Sequence, residues 1–254
     1  MGNFTLKKIR FTISDPKYPF FAYKDYSKEL SKLLDDLEPK LLQYKFANKF
    51  VVKNDIFTEI DRIIKRIERE VSKWDIVKII RNWAESVALI HDRRLTSEVK
   101  KKKSAEVLLL PLQKITDKVV KKELEKRIEY NVSLIKTVFD RLKSNIENDL
   151  KRAFTDGTGE SVKEIIQKNI GKSHRNFDLI ARDQTLKMNK SLTLAKMKPL
   201  GVERYIYRTS KDEKVRITHS KIDGKEFEVE GDNEGNKRLA EINCRCHREF
   251  IFEI

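Results

Sequence analysis

Residues 201–247 read GVERYIYRTSKDEKVRITHSKIDGKEFEVEGDNEGNKRLAEINCRCH, and this stretch decides the reading of the chain. Within it the hydrophobic period falls to two, and residues 204–209 alternate as a strand. Residues 215–217 read as a second short strand and 227–229 as a third. Residues 231–236 read as a polar loop. Ile222-Asp223-Gly224 forms a tight turn in which the glycine can take positive φ. Residues 248–254 alternate again, as a last strand returning beside 204–209. That return brings Cys244 and Cys246 next to the segment holding His219.

Upstream the period is helical. Leu30, Leu33, Leu34, Leu37, Leu41 and Leu42 make one stripe, with Pro39 expected to kink or restart the helix. Ile56, Phe57, Ile60, Ile63, Ile64, Ile67 and Val71 make a second. A third runs from Ile76 to Ile90 and ends at His91, which reads as a cap or surface residue. The longest segment carries Ile115, Val119, Leu124, Ile128, Val132, Ile135, Phe139, Leu142, Ile146 and Leu150 at mixed spacings of three and four. Residues 155–159, TDGTG, break this pattern. They divide the chain into a helical domain, 1–156, and a second module, 157–254. Ser161 and Glu164 then form a capping box, the helix they open stops at Asn169-Ile170-Gly171, and another starts at Ser173. Residues 1–25 are aromatic without a clean period and are expected to dock on the body of the fold. The fold class is α+β: long helices first, then a small unit of helix and antiparallel sheet.

Composition bounds the partners. The chain has 55 Lys+Arg against 40 Asp+Glu, a net charge of +15. Such an excess favours a polyanion. Its densest patch is Lys100, Lys101, Lys102 and Lys103, which reads either as a contact to double-stranded DNA phosphates or as a solvated hinge. The sequence has no apolar run near the roughly 18 residues of a membrane span, and MGNFTLKKIR has no signal-peptide core. Two cysteines one residue apart are poor material for a disulfide framework, so synthesis in a reducing cytosol is expected.

His219, Cys244 and Cys246 offer imidazole and thiolate, the donors Zn²⁺ prefers in a tetrahedral site. Asp212, Asp223 and His247 are the choices for a fourth ligand. Two packed reduced thiols, or a strained disulfide, are the alternatives. A zinc deaminase needs His-x-Glu and Pro-Cys-x-x-Cys, and neither is present. No oxyanion-hole loop flanks Cys244, so no enzyme is expected. Arg182 and Asp183 read either as a surface pair or with Arg182 facing the small C-terminal sheet that holds His219 and the cysteines, and orienting part of it.

The order of motifs carries a further reading. Ala181-Arg182-Asp183-Gln184 is followed by Gly201 and the strand Tyr205-Ile-Tyr-Arg-Thr-Ser210. Then come Asp212, Val215, Arg216 and His219, the turn Asp223-Gly224, and Asn243-Cys244-Arg245-Cys246. In this order and spacing the last hundred residues resemble the head-morphogenesis family of tailed phages named after protein F of phage Mu. Two departures stand out: Ala240-Glu-Ile242 replaces a proline often found before the Asn-Cys-Arg-Cys end, and His247 is not a family residue. The resemblance implies a minor head protein in the virion interior, assembled in the host cytoplasm. It would act near the portal in head assembly, DNA packaging or DNA delivery, with portal and other head proteins as partners.

Overall fold

The computed structural model describes residues 10–43, 56–114, 117–157 and 160–253. In chain order these form β1 (Arg10–Ser14), α1 (Phe20–Leu42), α2 (Ile56–Ser72), α3 (Ile76–Lys100), α4 (Leu109–Lys114), α5 (Asp117–Thr155) and α6 (Val162–Met197). Then come β2 (Arg204–Arg208), α7 (Ile217–Ser220), β3 (Glu226–Glu228), α8 (Glu234–Ala240) and β4 (His247–Glu253). Long helices followed by a small antiparallel sheet make the fold α+β.

Two compact units group these elements. One comprises Tyr23–Trp83 and Ile128–Arg182; the other comprises Met1–Ala22, Ala84–Arg127 and Asp183–Ile254. They do not follow a division at 156/157. Among its described residues the first unit has helices and no strand. Leu30, Leu34, Leu37 and Leu41 of α1 are buried, as are Ile63 and Ile67 of α2, Ile135, Leu142 and Ile146 of α5, and Ile165, Ile166 and Phe177 of α6. Each such side chain contributes about 1.5–3 kcal/mol by leaving water. Tyr26 stacks on Trp83 at 4.6 Å, and Phe139 meets Phe177 edge-on at 5.3 Å.

Helix α1 passes through Pro39 without restarting. The proline forfeits one helical hydrogen bond, while Leu37 and Leu41 on either side stay buried. Helix α6 also runs through the expected stop. Asn169 Nδ2 donates to the Ile165 carbonyl at 2.9 Å, Ser173 Oγ donates to the Asn169 carbonyl at 3.0 Å, and Ile165, Ile166 and Ile170 are buried. That packing outweighs the roughly 1 kcal/mol a helical glycine costs. The capping box is present: Ser161 N–H donates to Glu164 Oε2 at 2.7 Å, and Glu164 N–H donates to Ser161 Oγ at 3.2 Å. Helix α3 does not end at His91 but continues to Lys100. His91 is buried within it, with Nε2 3.0 Å from Thr193 Oγ1 of α6.

The second unit holds the sheet, in the order β1-β4-β2-β3, all antiparallel. β4 returns beside β2 as expected, with Tyr205 opposite Phe250 and Tyr207 opposite Arg248. Its other neighbour is β1, from the N-terminal aromatic stretch, with Phe11 opposite Phe252 and Ile13 opposite Phe250. The period of two puts Phe11, Ile13, Tyr205, Tyr207, Phe250 and Phe252 into one core. Leu95 and Val99 of α3 and Leu239 of α8 pack into it too. The other face carries Arg204 between Glu226 and Glu253, and Arg208 on Glu249. Residues 215–217 form no strand. Residues 217–220 make the single turn α7 instead, whose His219 side chain is buried.

Candidate metal centre

Strand β2 and the turn after it set up the site. Gly224 takes φ +80° and donates its N–H to the Tyr207 carbonyl at 2.8 Å, while Tyr207 N–H donates to Lys225 O at 2.9 Å. Asp223 Oδ1 accepts the Thr209 N–H at 2.8 Å, closing the same turn from its side chain. α7 is thereby held over the sheet, with His219 facing the core beside Tyr207. The cysteines arrive on the segment leading into β4, and both are buried.

His219 Nδ1 lies 3.4 Å from Cys246 Sγ and 3.7 Å from Cys244 Sγ. All three ligand atoms fall within 4.8 Å of one another. Bonds of about 2.3 Å to sulfur and 2.0–2.1 Å to nitrogen at tetrahedral angles place N and S about 3.5 Å apart. The spacing therefore fits a tetrahedral ion. On the far side of the ring, His219 Nε2 lies 3.0 Å from Glu241 Oε2. Hydrogen bonding to Arg238 first, then to His219, holds the Glu241 carboxyl below its usual range. It is ionised and can only accept, so Nε2 carries the proton and Nδ1 keeps its lone pair for the sulfur side. A carboxylate that orients a ligating histidine is the usual outer partner of a metal site. Arg216 steadies that carboxylate at 2.9 Å and also donates to Ile242 O at 2.9 Å.

The two sulfurs act on each other. The Cys246 thiol donates to Cys244, which lowers Cys244, with Lys190 adding to this, and pushes Cys246 up. Lys190, in α6, is buried, and its Nζ donates to the Cys244 carbonyl at 2.7 Å. Burial first lowers the Lys190 pKa, against the opposing pull of Cys244 and Asp15.

The other predicted residues fall as follows. Asp212 accepts from Arg245 at 2.7 Å and from Lys214 N–H at 3.0 Å. Neither Asp212, Asp223 nor His247 joins the cluster, which among the described residues contains no fourth His, Cys, Asp or Glu. Arg182 pairs with Asp178 at 2.6 Å and lies over the Tyr23 ring. The residue of that motif that reaches the cysteine loop is its neighbour Asp183, which is buried and accepts the Asn243 N–H at 2.8 Å. Lys100 is exposed, Lys101 pairs with Glu98, and Lys102 donates to Thr12 oxygens. The Lys103 side chain lies outside the described residues.

Sequence reasoning missed Lys190, Glu241 and Tyr207. Lys190 lies two helical turns beyond Asp183, on the same face of α6, and that spacing was the available signal.

Residues 144–249 match the sequence model of the family described as Phage Mu protein F like protein. The match runs from the end of α5 into β4 and leaves β1 outside it. A Haemophilus influenzae protein described only as uncharacterized is 31% identical over 122 residues, 46% of this chain and 26% of that protein. The chain thus spans about a quarter of that relative's length. No solved structure matches.

Proposed function

We propose that this chain, whose residues 144–249 belong to the phage Mu protein F like family, is a minor head protein of a tailed phage or prophage. Its place is the head interior near the portal, and its work is in head assembly, DNA packaging or DNA delivery. The observation that carries this reading is the family match over the motif-bearing helix, β2, β3 and the start of β4. Among the described residues no helix is long and apolar enough to cross a membrane. Mass spectrometry of purified heads tests the proposal. The chain should be present at low copy relative to the major capsid protein and should co-purify with the portal. Heads that form without it, from a lysate that contains it, would overturn the proposal.

Within this role the His219–Cys244–Cys246 group is a structural Zn²⁺ site. Its ligand atoms are enclosed, as in structural rather than catalytic zinc sites. Elemental analysis of the purified chain should give about one equivalent of zinc, lost in Cys244→Ser. Less than about a tenth of an equivalent in the wild type would refute the site.

A second reading, sequence-independent binding of double-stranded DNA, draws support from the net charge of +15. The engagement of Lys101 and Lys102 within the fold shifts this role away from the lysine run toward a more distributed surface. Phosphate contacts predict a steep loss of affinity with salt. Charge reversal at Lys100 and Lys103 tests what the run contributes.

A further inference from the structure

Three ligand atoms leave one corner of a tetrahedron open. The carboxylates nearby are committed elsewhere: Asp212 to Arg245, and Asp223 to the Thr209 N–H. Glu241 sits on Nε2, across the imidazole from the sulfurs. All three ligand residues are almost fully buried.

On the Nδ1 side stands Tyr207, fully buried, with its Oη 2.9 Å from His219 Nδ1. Because Nε2 holds the ring proton, this hydroxyl donates to Nδ1. It therefore points at the lone pair that a metal would take. Zinc bonds of about 2.0 Å to nitrogen and oxygen at a tetrahedral angle separate the two atoms by about 3.3 Å. A shift of a few tenths of an ångström brings Oη to that distance. The residue is held by its backbone at the centre of the sheet, between Lys225, just before β3, and Arg248 of β4.

We propose that Tyr207 is the fourth ligand and that its phenolate oxygen closes a His–Cys₂–Tyr zinc site. The inference rests on the reading of the group as a zinc site. Binding forms one Zn–O bond in place of the phenolic O–H bond, whose proton goes to solvent, as does each proton the sulfurs still carry. Two thiolates and a phenolate exceed the ion's charge by one. Lys190 Nζ, which donates to the Cys244 carbonyl at 2.7 Å, is the basic group nearest this excess.

The test uses the full chain stripped of metal and titrated with Zn²⁺, followed by ultraviolet difference spectroscopy and chelator competition. The wild type should develop the tyrosinate difference band as one equivalent binds. Tyr207→Phe should lose that band and bind Zn²⁺ at least about tenfold more weakly. Tyr207→His returns a ligand atom and should recover affinity without the band. Zinc bound by the wild type without a tyrosinate band overturns the Tyr207 assignment and leaves the three-residue site standing. So does unchanged affinity in Tyr207→Phe. A wild type that binds no zinc removes the site itself. The band in the wild type decides the matter even where a variant fails to fold.

Discussion

The carboxylate of Asp183 accepts the backbone N–H of Asn243 at 2.8 Å, 60 residues further along the chain. Asn243 has φ +56°, in the left-handed region that asparagine tolerates better than most residues. Two helical turns past Asp183, Lys190 donates to the carbonyl of Cys244, the next residue. Helix α6 thus offers one acceptor and one donor to adjacent residues of the loop that delivers the cysteines.

Asp183→Ala should therefore destabilise the sheet unit by about 1–2 kcal/mol, the cost of a half-buried N–H left without its partner. Asp183→Asn keeps an acceptor and should cost less. The exposed Arg182–Asp178 pair predicts about 0–1 kcal/mol for Arg182→Ala. Urea unfolding of the three variants gives the order; Arg182→Ala as the most damaging would reverse the assignment.

Glu70 accepts from Lys73 at 2.8 Å and from Lys40 at 3.0 Å. Those hydrogen bonds, Lys73 first, hold its carboxyl down to about 2 from an ordinary 4.5. A carboxyl lowered on folding contributes stability that is fully present above its unfolded pKa. That contribution is lost as pH falls from about 4.5 toward 2. Glu70→Gln should flatten the fall in thermal midpoint over this window. Parallel curves for mutant and wild type would show that the pair contributes nothing to acid sensitivity.

Gly235 lies in the first turn of α8, where alanine would gain about 1 kcal/mol on helix propensity alone. A Cβ there would stand 2.5 Å from Tyr205 Oη and 2.7 Å from Phe227 Cδ2. Overpacking of this kind costs about 1–3 kcal/mol and outweighs the propensity gain. Gly235→Ala is expected to lower the denaturation midpoint; a raised midpoint would mean that Tyr205 and Phe227 move aside freely.

The turn at Asp156 and Gly157 is exposed, and Gly157 has φ +63°. We propose that limited proteolysis nicks the chain here before it cuts within α5. The two fragments should still elute together under native conditions. β1 on the first fragment pairs with β4 on the second, and Asp15 N–H donates to Arg248 O at 2.8 Å while Arg248 N–H donates to Asp15 Oδ2 at 2.9 Å. Fragments that part without denaturant would contradict that pairing.

The sequence by itself determined the features that close over a few residues. The Ser161–Glu164 box, the Gly224 turn, the long run of α5 and the alternation of β2 and β4 were readable because neighbours along the chain cause them. The meeting of His219 with the cysteines was readable one step further, from the return of the last strand and the choice of ligand types. The tertiary structure alone decided which distant group answers each buried polar atom. Five alternating residues, 10–14, are too short to announce a strand without β4 beside them. Asp183, rather than Arg182, serves the cysteine loop because that side chain is the one the packing of α6 buries. His91 became a core residue because α3 continued past it and Thr193 met its ring. A hydrogen bond or an ion pair forms only where the fold delivers both partners, and partners 60 or 233 residues apart leave no periodic trace in the chain.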